Sequence, residues 1–549
     1  MIENEEKIKK RKNIRTQQKF GDFMGRINME GYELVRNAAG RLVPTVVNGR
    51  KVVPFKGVNK YRPNGRKASP PIPTCIDYPS DGNKIVGSLK EALKLCGLSD
   101  GMTISTHHHF RNGDMIANKV FDIAAELGVK NLRWFPSAVF PCHEPIIKHM
   151  ESGVVHHIEG SLNGPLGDYC SRGKMKGMGV LRSHGGRYRA IQDGDVHIDI
   201  AVLAAPTADA FGNANGLYGK SACGPLSLAK PDSLYADKVI VVTDNLVPFP
   251  CYPWEIVGNY VDCVVVMDKI GEPSKIVSGT TKITGNPDKL KIAEMAASFI
   301  RDAGLLHDGF NFQAGAGGTS LAFVNFLEKI MKEEGVRARA MVGGITGYVV
   351  KILEEGLGDY ILDGQSFDLE AIRSLRENAN HVTFDLLQCY NFHSKGNTTS
   401  MMDAIVLGAT EVDANFNANV VTHSDGRMLH GIGGWQNSLL AKCTILTIPS
   451  VRRGMPMIRD EVTTLVGPGE LIDVVVTERG IAINPRRKDL IEATSDSELP
   501  IKTIEEIKKE AEDACGRKAA EAEHGDKVVA VVEWIDGTIL DSIWEVKKN

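Results

Sequence analysis

The chain repeats itself, and a repeat limits the fold more than any other feature of the sequence. "SDGMTIST" (99–106) and "HDGFNFQA" (307–314) share an Asp-Gly pair followed by a strand-like alternation, 208 residues apart. "DIAVLAAPTADAFGNAN" (199–215) aligns without a gap on "DAIVLGATEVDANFNAN" (403–419), at an offset of 204. That alignment pairs Asp199 with Asp403, Asp209 with Asp413, Asn213 with Asn417 and Asn215 with Asn419. "VDCVVVMDKIG" (261–271) matches "IDVVVTERGIA" (472–482) at 211. Three matches in the same order imply two homologous halves. We place a basic N-terminal extension at 1–75, a first domain at 76–288, and a second at 289–549 that carries a C-terminal helix and hairpin.

Each half alternates short apolar runs with helical patterns. "VIVVTDNLVPF" (239–249) and "LIDVVVTE" (471–478) read as strands buried on both faces, as in parallel sheets. "SLAFVNFLEKIMKEEG" (320–335) has Leu321, Val324, Leu327 and Met331 at helical spacing. The fold class is therefore α/β, with two tandem domains of mostly parallel sheet flanked by helices. Asn-Pro in "TGNPDKL" (284–290) marks a break between the halves. Asp536-Gly537 reads as a type I′ hairpin turn, and residues 41–55 read as a second hairpin around Asn48-Gly49.

At 549 residues the chain exceeds a single core. No run of about 18 apolar residues exists, so no membrane helix is expected. The charged N-terminus lacks an apolar segment and does not resemble a secretory signal. The ten cysteines form no CxxC pair, which fits reduced thiols in a cytoplasmic protein without a structural zinc. Residues 1–70 carry 17 Lys+Arg against 6 Asp+Glu, yet lack interleaved aromatics or a reader motif. Nucleic acid is not the expected partner; a strap on an acidic surface is.

"THHHFRNGD" (106–114) places His107, His108 and His109 side by side. Consecutive strand residues face opposite ways, so the three cannot converge on one metal, although His107 and His109 can share a face. The matching loop in the second half, "GAGGTS" (315–320), has no histidine. We read both as loops at strand carboxyl ends, where open α/β sheets bind ligands, and assign no metal. Four glycine loops offer backbone N–H groups to an anion: "SHGGRYR" (183–189), "QAGAGGTS" (313–320), "MVGGITG" (341–347) and "HGIGGWQN" (430–437). G-x-G-x-x-G, G-x-S-x-G and the P-loop pattern are absent, so dinucleotide, serine-hydrolase and ATP chemistry lack support.

Long strings carry a resemblance: "DGMTISTHHHFRNGD", "HEPIIKHMESGVV", "RSHGGRYRAIQDGDVHIDIA", "FGNANGLYGKSACGPLSLAK", "GFNFQAGAGGTSLA", "DGQSFD", "DANFNANVVTHSDG" and "VTERGIAINPRR". From about residue 86 to 545 the chain resembles the α subunits of bacterial citrate lyase, of the CoA-transferase superfamily. The resemblance implies a tandem CoA-transferase fold. It also implies a reaction: acetyl-carrier protein plus citrate gives citryl-carrier protein plus acetate, without ATP. The carrier (γ) supplies a phosphoribosyl-dephospho-CoA thiol, this chain binds no cofactor of its own, and a β subunit (citryl-carrier lyase) then cleaves the product. An oligomeric complex follows.

Such an exchange needs oxyanion stabilisation. Gly315, Gly317 and Gly318 are the first candidates for it. Gly433 and Gly434 resemble the GxGG loop that contacts CoA in related transferases, where an aspartate stands at the position of Asn437. Citrate is a trianion, which makes Arg111, His184 and Arg187 candidate partners beside Gly185, Gly186 and the three histidines. Related transferases carry a nucleophilic glutamate where this chain has Gly343 and Gly344. We therefore expect direct exchange in a ternary complex, with Glu478 as the fallback nucleophile. A stand-alone CoA transferase or thioester hydrolase for another acid is the alternative, and a silent scaffold is a second.

Overall fold

The computed structural model describes residues 27–29, 32–61, 81–276, 282–315 and 317–547. The 75/76 boundary and most of the basic extension lie outside these residues. In the first half six strands follow in chain order: β1 (Thr103–Thr106), β2 (Leu132–Pro136), β3 (Val155–Gly160), β4 (Ile200–Ala204), β5 (Lys238–Thr243) and β6 (Cys263–Val266). All are parallel and lie in the spatial order β3-β2-β1-β4-β5-β6. The second half has β7 (Phe310–Ala314), β8 (Ala338–Ile345), β9 (Gly358–Ser366), β10 (Ala404–Gly408), β11 (Thr444–Thr447) and β12 (Val474–Thr477). They too are parallel, in the order β9-β8-β7-β10-β11-β12. β4, β11 and β12 are buried at every position, as strands covered on both faces are.

The likeness of the halves extends to single hydrogen bonds. Asp199 accepts the Thr103 N–H at 2.6 Å, and Asp403 accepts the Asn311 N–H at 2.7 Å. Asp209 Oδ1 gathers the N–H groups of Phe211, Gly212 and Asn213, while Asn213 Nδ2 donates back at 2.9 Å. Asp413 Oδ1 gathers those of Asn415 and Asn417, and Asn417 Nδ2 donates back at 3.1 Å. Asn213 Oδ1 accepts from Gly258 N–H and Asn417 Oδ1 from Gly469 N–H, each at 2.9 Å. These carboxylates replace missing strand partners where the chain turns sharply.

Three expectations need correction. The C-terminal hairpin, β13 (His524–Glu533) and β14 (Thr538–Val546), does not extend the second sheet: β13 pairs in parallel with the strand Gly179–Leu181 of the first sheet. β14 in turn carries the strand Val53–Pro54 of the extension. Val528, Val531 and Ile539 share one apolar cluster with Leu34, Val43, Val47 and Val180, which fixes that choice. Second, the Asn-Pro break starts a helix. Asn286 accepts from Lys289 N–H and Pro287 is the first residue of the helix Pro287–Asp302. Third, the hairpin turns differ. Asn48 and Gly49 have φ of 50° and 80°, as a type I′ turn requires, whereas at the other turn only Gly537 (φ 92°) is left-handed. There Gly537 N–H bonds to the Trp534 carbonyl, so a longer type I turn closes the hairpin.

Candidate functional site

Both strand orders reverse beside their first strand, between β1 and β4 and between β7 and β10. In open α/β sheets ligands bind outside the carboxyl ends of the strands at such points. Here the carboxyl ends of the two sheets face each other across a cavity of about 580 Å³, a volume suited to a cofactor-sized ligand. The first half contributes His108 and Arg111 after β1, Ser137 and Phe140 after β2, Ser161 and Asn163 after β3, and His184. The second half contributes Gln313 to Gly315 at the end of β7, Gly343 and Gly344 of β8, Gly364 and Gln365 of β9, and residues 407–410 at the end of β10. Among the described residues, no carboxylate lines this cavity.

The three histidines separate. His108 faces the cavity: its Nδ1 lies 2.7 Å from Ser137 Oγ, its Nε2 lies 3.2 Å from Gln365 Oε1, and its ring stacks on His184 at 5.4 Å. His107 Nε2 meets Asp232 at 3.1 Å and His109 Nε2 meets the Ala204 carbonyl at 2.9 Å, so both lie behind the wall. Their rings stack at 6.0 Å, the shared face expected of an i,i+2 pair. Burial pushes His108 well below its ordinary pKa, with His184 and Arg111 adding to the effect. Burial also takes His184 down to about 4. Both imidazoles are neutral near pH 7.

Arg187 is corrected by the structure. It is bound to Asp232 through two contacts of 2.6 Å, donates to Ser105 Oγ and the Phe135 carbonyl, and lies 4.2 Å from the Phe135 ring centre. With its charge committed there and 2% of its surface exposed, it is a support for the wall and not a partner for citrate. Burial works against the Asp232 charge, but Arg187 and His107 outweigh it and hold the carboxyl below the usual range. Arg111 does line the cavity, between the Phe140 and Phe367 rings at 5.4 and 4.7 Å.

The glycine loops divide as well. Gly343 (φ 115°) and Gly344 line the cavity at a bulge, where the partner on β9 jumps from Asp363 to Gln365. A Cβ on Gly344 would meet the Phe367 ring at 2.1 Å. Gly315 lines the cavity too, but its N–H already bonds the Val406 carbonyl at 2.8 Å and so cannot serve an oxyanion. Gly317 and Gly318 start the helix Gly318–Glu334 and are not among the lining residues. Gly433 and Gly434 line the cavity, and the Gly433 carbonyl accepts His184 N–H at 2.8 Å.

Gly185 and Gly186 stand back from the cavity, at the start of the helix His184–Gln192. Gly185 has no room for a Cβ, with Asn437 Nδ2 at 2.3 Å, and Gly186 N–H satisfies the Ser183 cap at 3.0 Å. Asn437 thus acts inside the protein: its Oδ1 accepts the Gly185 N–H at 3.1 Å and ties the two halves together. Glu478 is corrected in the same way. It accepts from the Ser450 N–H at 2.8 Å and from the Ser450 hydroxyl, and does not line the cavity. Gln365, Ser137, Gln313, Tyr390 and Arg452 are wall residues that the sequence reading did not single out. Gln365 stands in "DGQSFD" and Gln313 in "GFNFQAGAGGTSLA", strings that already carried the resemblance, and these two could have been found.

The family model for citrate lyase, alpha subunit (CitF), matches residues 82–546. The citrate lyase alpha chain of Haemophilus influenzae is 42% identical over 466 residues, covering 84% of this chain and 93% of the relative. A solved structure of the alpha subunit of citrate lyase from Streptococcus mutans, in complex with citrate, is 42% identical with a TM-score of 0.89, covering 93% of this chain and 100% of the other. A 4-hydroxybutyrate CoA-transferase from Porphyromonas gingivalis shares the fold, at 15% identity and a TM-score of 0.51 over 78% of this chain and 97% of the other.

Proposed function

Because this chain belongs to the citrate lyase alpha-subunit family, we propose that the cavity between its two sheets is where citrate meets the acyl thioester. The chain is the alpha subunit of a citrate lyase, and its activity is the transfer of the acyl carrier from acetate to citrate. It works within a multi-subunit complex. The partners in our reading are a β subunit that cleaves citryl-carrier and a γ subunit whose phosphoribosyl-dephospho-CoA arm brings the thioester as substrate. We also infer a cytoplasmic setting, supported by nine free cysteines among the described residues. We keep the two halves as two domains, and assign the C-terminal hairpin to the first.

The carboxylate-free wall carries the mechanism. A glutamyl thioester needs a carboxylate in the cavity, and the described wall has none. A citrate carboxylate therefore attacks the acetyl carbonyl itself. The carrier thiolate leaves, and a mixed acetyl–citryl anhydride forms. The thiolate then attacks the citryl carbonyl of that anhydride, acetate leaves, and citryl thioester remains. Each attack passes through an oxyanion, for which the backbone amides of the Gly343–Gly344 bulge are our candidates. Arg111 supplies a fixed positive charge to a citrate carboxylate. Neutral His108, with both ring nitrogens held by Ser137 and Gln365, shapes the wall without adding a charge to it. Gln313 Oε1 and Asn163 Oδ1, buried without a hydrogen-bond partner, suit the citrate hydroxyl.

The test is acyl exchange by the purified chain, with acetyl-CoA standing in for the acetyl carrier. Mass spectrometry should find citryl-CoA and acetate, and borohydride should trap no acyl adduct on the protein. A trapped adduct would keep the activity and overturn direct exchange. Exchange with another acid but not citrate would favour the stand-alone transferase.

A further inference from the structure

We infer that Arg452 and Arg453, at the open end of the cavity, bind the diphosphate of the thioester-bearing arm; this rests on the reading of the cavity given above. The cavity has a closed and an open end. His108 and Arg111 are buried, whereas Gly408, His430 and Arg452 are its exposed wall residues. Arg452 belongs to a short antiparallel ribbon, Val451–Arg452 with Met455–Pro456. Arg453 occupies the turn of that ribbon with φ 52°, a left-handed conformation that an ordinary residue adopts at some cost. The two guanidinium groups lie within electrostatic reach of each other on this tip.

Other basic side chains stand near this tip, although burial and the arginines themselves lower the His423 pKa. His423 lies within electrostatic reach of Arg427, Arg452 and Arg453. Of the nearby acids, Asp425 pairs with Arg427 at 2.8 Å, and buried Glu411 pairs with Arg459 while its charge also reaches Arg452. Among the described residues neither Arg452 nor Arg453 forms an ion pair. Arg452 makes one long contact, 3.5 Å to the Ala409 carbonyl. Planar guanidinium forks match phosphate oxygens with two parallel hydrogen bonds.

The chemistry of the arm fits this gradient. Its pantetheine segment is uncharged and slender, and its thioester must reach the glycine bulge inside. Its phosphates are its anionic portion, and the exposed cations stand where the cavity opens. Free citrate is the other anion this rim could serve, so the test separates the two.

Titration calorimetry on the full chain would compare CoA, pantetheine and citrate. The double variant R452Q/R453Q should weaken CoA at least tenfold and flatten its salt dependence, while pantetheine and citrate bind as before. R452K/R453K should recover most of the CoA affinity, because the charge is kept. Both positions lie on an exposed ribbon, Arg452 in its strand and Arg453 in its turn, and circular dichroism would verify the fold. Unchanged CoA affinity in the glutamine variant, or citrate weakened as much as CoA, would overturn the assignment while leaving the cavity reading intact. A wild-type chain that binds citrate but neither CoA nor pantetheine would overturn the cavity reading, and this site with it.

Discussion

Gly344 decides how the catalytic wall is shaped. A methyl group there would strike the Phe367 ring, and that ring holds Arg111. We predict that Gly344→Ala lowers the exchange rate by about 10²–10³, the usual consequence of misplacing an oxyanion donor. Single-turnover exchange with acetyl-CoA would measure this, and an unchanged rate would remove the bulge from the mechanism. At this scale the sequence was only partly legible. Strand alternation led us to expect that three adjacent histidines would separate, and they do, although β1 ends at Thr106 and all three lie in the loop beyond it. Which of them meets the cavity did not follow from the sequence, because His107 is drawn away by Asp232, 125 residues along the chain. Arg187 was misread for a related reason. A buried arginine beside glycines resembles an anion site until its carboxylate partner, on another helix, is known.

The elements were more legible than their side chains. The recurrent Asp and Asn residues are visible in the sequence because the folded turns need their oxygens. Asp413→Ala would strand two backbone N–H groups and the Asn417 amide. We expect a loss of about 1–3 kcal/mol, and a loss in the same range for Asp209→Ala, whose carboxylate likewise holds its turn, through three turn N–H groups and that of Cys251. Urea unfolding of the two variants would check this; a large difference between them would deny the turns a common role. Apolar runs likewise announced the central strands. The hairpin was placed in the wrong half because a strand's apolar pattern states that it will be buried, not which sheet edge it will join.

The whole molecule is fastened by charges from three distant segments. Glu533 of the hairpin accepts from Arg182 and Arg189, both at 2.9 Å, and Arg50 of the extension lies 3.6 Å away. Burial alone would raise the Glu533 pKa, but the arginines outweigh it and hold it below its ordinary value. Such a carboxylate adds stability that is complete above its unfolded pKa of about 4.3 and is lost as the pH falls toward the folded value. Glu533→Gln should cost about 3–5 kcal/mol at pH 7, with a smaller penalty in acid. Thermal unfolding from pH 3 to 7 would show that convergence, and a penalty independent of pH would refute the electrostatic account. The same closure sets an order of synthesis. The first half leaves the ribosome with the edge of Gly179–Leu181 unpaired, and its partner emerges more than 340 residues later. During translation the second sheet can be complete while the first still presents an open edge, the surface on which chains aggregate. A shortened transcript or an early stop near the C-terminus would therefore damage the half that was made first.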